Sequence, residues 1–298
     1  MPFARARSRL SGGAMSYVDV GEGKPVLLLH GFPTSAMLWR REVMLLASRM
    51  RVIAPDLLGY GQSDKKPGAD LSERAQAGYV RQLLGELGID ELAIVGHGVG
   101  GAIAQLLALD GPVPTVSCLV LLDCPSFDAA PGEPVRTIRG AASEQETFDF
   151  VEEAVRRMVD LGVAHRGRVD EEAFQAYLDP WREDPSAFFR AARGIEGEVL
   201  AGREQEMAEV ELPTFILWGE DDPFVGVDIA ERLQEALPGS TLALLPGCSH
   251  FVTEDAPQSV GPLIYEYLRS RYLGQSHAHV SDEGGPVRVF LERPRKGW

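Results

Sequence analysis

The chain has 298 residues and a formal net charge of −15, with hydrophobic residues at 45% and charged residues at 24%. That balance suits a soluble chain able to bury a sizeable core, as one large α/β domain or a domain with an insertion. The acidic charge repels phosphate backbones and anionic lipid, so neither nucleic acid nor membrane is an expected partner; no apolar run reaches the roughly 20 residues that span a bilayer. Arg5, Arg7 and Arg9 lack a following apolar stretch, so no secretory signal is expected. Cys118, Cys124 and Cys248 are odd in number and without metal-ligand spacing, which predicts reduced thiols in a cytoplasmic chain.

Residues 1–13 are basic and then glycine-containing, read as a mobile end or a first edge strand. Residues 15–20 predict a strand, 21–25 a turn, and the apolar run 26–29 a strand buried on both faces. After His30-Gly31-Phe32-Pro33, Thr34-Ser35 predicts the cap of an amphipathic helix through Ser48. A strand follows at 51–54, then a loop at 57–64 and a helix from the cap Ser72 to Gly88. Strands at 92–95 and 116–122 flank a helix at 99–109, and this alternation indicates a mostly parallel sheet flanked by helices.

From Phe127 to about Val210 the buried-strand runs stop. Helices predicted at 143–161, 170–178 and 185–194 make this stretch an inserted helical cap. Sheet elements resume at 213–218 and 241–245, with helices at 228–237 and 257–273. The expected division is a core of 1–126 plus 211–274, a cap of 127–210, and an extension of 275–298 in which 287–291 is either an edge strand or part of a disordered tail.

The most informative stretch is Gly96-His97-Gly98-Val99-Gly100-Gly101, which leaves a strand and opens a helix. A sharp turn in that setting is the nucleophile elbow, G-x-S-x-G, but the central position is Gly98 and carries no side chain. Gly96, Gly98 and Gly101 also fit a dinucleotide G-x-G-x-x-G, with Asp123 as the acidic residue nearest the ribose-binding position. The other landmarks disfavour that reading, and no metal, nucleotide or flavin is expected.

Together these stretches resemble the α/β-hydrolase fold over residues 17–273. His30-Gly31-Phe32-Pro33 is similar to that family's H-G-x-P turn, which implies an oxyanion hole from the amides of Phe32 and Val99. The loop from Asp56 to Asp64 looks like the family's D-x-x-G-x-G-x-S, usually structural. Trp218-Gly219-Glu220-Asp221-Asp222 matches W-G-x-x-D and implies the acid Asp222, with Asp221 as its competitor. Pro246-Gly247-Cys248-Ser249-His250 matches G-x-x-H and implies the base His250. The segment from His30 to Arg40 is similar to the epoxide-hydrolase and haloalkane-dehalogenase branch, whose members attack with an Asp at the elbow. Gly98 departs from that pattern. So does Phe32, which stands where dehalogenases often have a halide-binding Asn, and Val99, where they have a Trp. The cap has one tyrosine, Tyr177, where epoxide hydrolases typically use two.

An imidazole fixed by a carboxylate can act as a general base without a covalent nucleophile. The resemblance therefore implies an enzyme that uses His250, Asp222 and the oxyanion amides on a small, largely apolar substrate, in lyase, cyclase, C–C cleavage or related chemistry. Three alternatives stay open: hydrolysis of an ester, lactone or epoxide by His-activated water, a chain whose Ser or Asp nucleophile was replaced, and a non-catalytic binding protein. Cys124, Cys248, Ser126 and Ser35 are weighed as substitute nucleophiles and read as packing, turn or cap residues, and His97 as packing. Phe148, Phe174, Tyr177, Trp181, Phe188 and Phe189 form the cap's aromatic set, a minority of it lining a pocket. Trp39, Tyr177, Trp181 and Phe251 are the expected substrate contacts. The expected partner is a small molecule, and a homodimer is left open.

Overall fold

The computed structural model describes residues 3–111 and 114–275, and the backbone of 288–290. Parallel strands β3 (Pro25–Leu29), β4 (Arg51–Pro55), β5 (Glu91–His97), β6 (Thr115–Leu122), β7 (Thr214–Gly219) and β8 (Thr241–Leu245) form the centre of the sheet. The antiparallel hairpin of β1 (Arg5–Leu10) and β2 (Gly13–Val20) extends one side, and β9 (Arg288–Phe290) pairs antiparallel with β8 on the other. The order is β1-β2-β4-β3-β5-β6-β7-β8-β9. Of the two readings of each end, the strand is the one observed at 5–10 and at 288–290; the rest of the extension, 276–287 and 291–298, lies outside the described residues.

The apolar runs explain the centre of this sheet. Val26 to Leu29 and Leu92 to Val95 are all fully buried, as strands covered on both faces must be. The chain goes from β3 outward to β4, then returns across β3 to β5. That reversal opens a crevice at the carboxyl ends of β3 and β5, where α/β sheets bind ligands. His30-Gly31-Phe32 and His97-Gly98-Val99 both begin there.

Helices α1 (Arg40–Leu46), α2 (Glu73–Glu86), α3 (Val99–Leu109), α9 (Val227–Ala236), α10 (Val252–Asp255) and α11 (Pro257–Arg271) accompany the strands. Between β6 and β7 lie α4 (Glu133–Arg139), α5 (Phe148–Gly162), α6 (Glu171–Leu178), α7 (Pro185–Arg193) and α8 (Glu204–Glu209). Thr147, Asp170 and Asp184 cap α5, α6 and α7 by accepting from the amides of Phe150, Ala173 and Ala187. The single helix expected from Ser35 to Ser48 is instead a 3-10 turn, Ala36–Trp39, followed by the shorter α1. Ser35 does cap it, accepting from the Met37 amide, but the first turn tightens. No helix of the described residues is long and apolar enough to cross a membrane.

On α1, Glu42 is buried and neither carboxyl oxygen has a hydrogen-bond partner among the described residues. Burial pushes its pKa from 4.5 up to about 7, aided by the Glu254 charge and opposed by Arg41 and Arg40. The fold thus favours the neutral acid: its contribution is full below pH 4.5 and is lost as pH rises through about 7. Glu42→Gln is therefore expected to raise unfolding free energy at pH 8 by about 3 kcal/mol, with the gain shrinking toward pH 5. Denaturant titration at the two pH values measures it.

Candidate active site

The turn between β5 and α3 is shaped by close backbone contact. A Cβ on Gly96 would lie 2.5 Å from the Gly100 carbonyl oxygen, and one on Gly100 would lie 2.3 Å from that of Leu29. Gly98 has φ 54° and ψ −128°, a strained region for any residue with a side chain and a free one for glycine. Its amide donates to the Leu122 carbonyl (3.1 Å), and its carbonyl accepts from the Gly101 amide (2.8 Å). A Cβ built there would meet only ordinary contacts, 3.4 Å from Gly31 Cα and 3.6 Å from His250 Nε2. The backbone is that of an elbow aimed at His250, without the side chain.

The loop after β7 brings up Asp222, and the loop after β8 brings up His250. His250 Nδ1 lies 2.8 Å from Asp222 Oδ2, and both side chains are buried. Asp222 Oδ1 accepts from the amides of Phe224 (2.7 Å) and Val225 (3.1 Å), which fixes the carboxylate in place. An Nδ1–H donated to Asp222 leaves the Nε2 lone pair facing Gly98. The backbone of His250 is held as well, because His97 Nε2–H donates to its carbonyl (2.9 Å). Burial, and then the His250 ring, hold His97 well below the usual imidazole range, so it packs as a neutral ring.

Asp221 is exposed, and Asp222 is the one brought to His250. Asp123 is fully buried at the end of β6, where its Oδ1 accepts from the Gly219 amide (2.8 Å). Burial, and then the Asp222 charge, push the Asp123 pKa well above the carboxylate range. Asp123, the acidic residue that the dinucleotide spacing of Gly96, Gly98 and Gly101 would use, is thus enclosed in the core and bonded to Gly219.

Phe32 and Val99 line the same cavity as His250 and Gly98. Neither backbone amide donates to another described residue. Asp56 braces the turn that carries Phe32, accepting from the Ala36 amide (2.8 Å), the Gln62 amide (2.8 Å) and Arg5 (2.6 Å). His30, neutralised by burial, accepts at Nε2 from the Leu57 amide (3.0 Å). Gly98, Val99, Phe32 and His250 open on a cavity of about 70 Å³. Its remaining walls are aliphatic and small residues, among them Pro125, Ala129, Pro131, Val135, Met158 and Ile195, with Phe224 beside the imidazole.

None of the four expected substrate contacts lines this cavity. Trp39 is fully buried beside His97 in the core. Trp181 packs on Phe32, Tyr60 and Phe188 and donates to the Pro33 carbonyl (3.3 Å). Phe251 stacks on His97, and its amide donates to the Gly162 carbonyl (2.7 Å). Tyr177 is buried in an ionic cluster with Glu254 and Arg40. Large apolar surfaces gain most from leaving water, so these rings cement the inserted helices to the core. Of the weighed nucleophiles, Cys124 is fully buried, with burial pushing its thiol pKa far up. Burial likewise raises Cys248 to about 11. The Ser126 hydroxyl donates to Gln105 (2.7 Å), and Ser35 caps the 3-10 turn.

Comparison with known proteins agrees with the geometry. The chain is 28% identical over 284 residues to haloalkane dehalogenase 2 of Mycobacterium tuberculosis, covering 89% of this chain and 95% of that one. It is also 28% identical over 282 residues to 2-hydroxy-6-oxononadienedioate/2-hydroxy-6-oxononatrienedioate hydrolase 2 of Pseudomonas putida, covering 90% and 96%. Among solved structures it is similar to an alpha/beta hydrolase fold protein from Burkholderia ambifaria, with 28% identity, a TM-score of 0.82, and coverage of 89% and 98%. The family model for the alpha/beta hydrolase fold matches residues 24–257. The chain belongs to the alpha/beta hydrolase fold family and is an enzyme of that fold.

Proposed function

We propose that this enzyme works without a covalent nucleophile. His250, oriented by Asp222, takes a proton from a water held beside Gly98, and the water oxygen attacks the carbonyl carbon of a small ester or lactone. The oxygen that becomes negative receives the amides of Phe32 and Val99, donors that need no reorganisation as charge develops. Collapse of the tetrahedral intermediate breaks the bond to the leaving group, which takes the proton back from His250. The helices of residues 127–210 serve as a cap that keeps the site dry and admits only small acyl groups. One observation carries this reading: the position where a nucleophile's Cβ would sit is 3.6 Å from His250 Nε2, so a water oxygen near it lies within reach of the base. Relatives named as hydrolases and dehalogenases support hydrolysis as the reaction class.

A second reading is favoured by the aliphatic walls of the cavity. There His250 removes a proton from the substrate itself, in elimination, cyclisation or C–C cleavage, and the Phe32 and Val99 amides stabilise an enolate. A screen of short-chain esters and lactones in 18O-labelled water separates the two. Hydrolysis puts label from solvent into the product carboxylate; substrate deprotonation yields product without it, and that outcome would overturn the first reading.

Gly98→Ser tests the geometry from the other side. The hydroxyl is expected to sit within reach of His250 and to form an acyl-enzyme, seen as a mass adduct after rapid quenching. The strained backbone at this position should cost the variant about 1–3 kcal/mol of stability.

A further inference from the structure

The walls of the cavity hold no nucleophile. Among its lining residues His250 is the sole one with a hydrogen-bonding side chain, and the others are glycine, proline, aliphatic or Phe and Met side chains. Nearby candidates are occupied elsewhere: Ser126 Oγ donates to Gln105 Oε1, and Cys124 Sγ accepts from Gln105 Nε2 (3.6 Å). The attacking atom must then come from outside the chain, and nothing in the geometry restricts it to water. A nucleophile beside Gly98 needs one O–H to give to His250 Nε2, and any remaining part of it meets Gly31 Cα and apolar wall. An alkyl group gains from such a wall, and a second water hydrogen does not.

We propose that the space beside Gly98 is a binding site for a small alcohol, and that the enzyme transfers acyl groups to such alcohols in competition with hydrolysis. This rests on the general-base reading above. The alcohol O–H proton passes to His250 Nε2 as the oxygen bonds to the carbonyl carbon. The oxyanion is held by the Phe32 and Val99 amides. Collapse breaks the bond to the leaving alkoxide or phenoxide, which recovers the proton, so one ester is exchanged for another with no redox change. Gly31 Cα, 3.4 Å from where a Cβ on Gly98 would lie, leaves room for a primary alkyl group beside the attacking oxygen and crowds a tertiary one, so methanol or ethanol is the expected acceptor.

The test uses the full chain with p-nitrophenyl acetate and phenyl acetate as acyl donors, methanol or tert-butanol as acceptor, and His250→Ala as control. Methyl acetate should form in a His250-dependent way, in excess over the molar ratio of methanol to water by roughly four-fold for the one buried methyl. Because water and methanol attack the donor directly, the ratio of methyl acetate to acetate should change between the two donors. In Gly98→Ser, where both partition from one acyl-enzyme, it should not. His250-dependent acetate without methyl acetate would overturn the alcohol site and leave the hydrolytic reading standing. A product ratio independent of the donor in the unmodified chain, or tert-butyl acetate as readily formed as methyl acetate, would also overturn it. No His250-dependent release from either donor would overturn the hydrolytic reading and the alcohol site together.

Discussion

His250→Ala is expected to lower turnover by about two to four orders of magnitude with little change in KM, the range that general-base catalysis contributes. The imidazole is the polar side chain facing the cavity, so no neighbour can take over its proton transfer. The loss should be confined to chemistry, because the His250 carbonyl that His97 holds belongs to the backbone and survives the substitution. Asp222→Asn should reproduce part of the loss. An amide cannot stabilise the imidazolium that forms when His250 takes a proton, and it can present N–H where Nδ1–H needs an acceptor. Steady-state kinetics on any substrate found in the ester and lactone screen reads both effects.

The largest effect on stability is expected from Glu254→Ala. This carboxylate is wholly buried, four positions after His250 in the chain, and joins three parts of the molecule. Arg40 grips it with two hydrogen bonds (2.5 and 2.7 Å), Arg41 with a third (3.0 Å), and the Tyr177 hydroxyl of α6 donates to it (2.5 Å). Burial pushes Glu254 up, but the Arg40 and Tyr177 hydrogen bonds prevail and its pKa lies below the ordinary value. Burial and the Glu254 charge push Tyr177 well above its usual range, so it stays protonated and donates. Removing the carboxylate leaves Arg40 mostly buried without its counter-ion, a loss of about 3–5 kcal/mol. For a chain this long that lowers Tm by on the order of 10 °C. Tyr177→Phe removes two hydrogen bonds, the one donated to Glu254 and the one accepted from Arg40 (3.1 Å), and leaves the ion pair in place, so it should cost only about 1–3 kcal/mol. Thermal unfolding of the two variants gives the comparison.

The parts of this molecule that could be read from residues alone are those in which chemistry and backbone geometry are local. The apolar runs of β3 and β5 announce doubly buried strands. The elbow glycines announce close approach of strand and helix. Asp222 and His250 stand out because each follows a strand in a short patterned loop, and the structure brings their side chains within 2.8 Å across 28 positions. The pocket walls were not legible. Trp39, Tyr177, Trp181 and Phe251 look like ligand contacts because they are large and aromatic, and size is also why they are buried in the core. The actual wall draws on Ala129, Ala130, Pro131, Val135 and Ile195. Such residues carry no chemical signature, and their role depends on how the helices between β6 and β7 settle on the sheet. The one local hint is that Ala129, Ala130 and Pro131 follow closely on Asp123-Cys124-Pro125, at a strand end that faces the crevice. Glu254 was illegible for a related reason: its partners, Arg40 and Tyr177, lie 214 and 77 positions away.

The central claim is that the attacking atom is external and His250 supplies only the base. The most direct measurement is intact-protein mass spectrometry after rapid acid quench during turnover of an ester that the enzyme hydrolyses. Product should accumulate while the protein mass stays unchanged at every time point, with Gly98→Ser giving the acyl adduct as positive control. An acyl adduct on the unmodified chain, formed and lost at the rate of turnover, would contradict the claim.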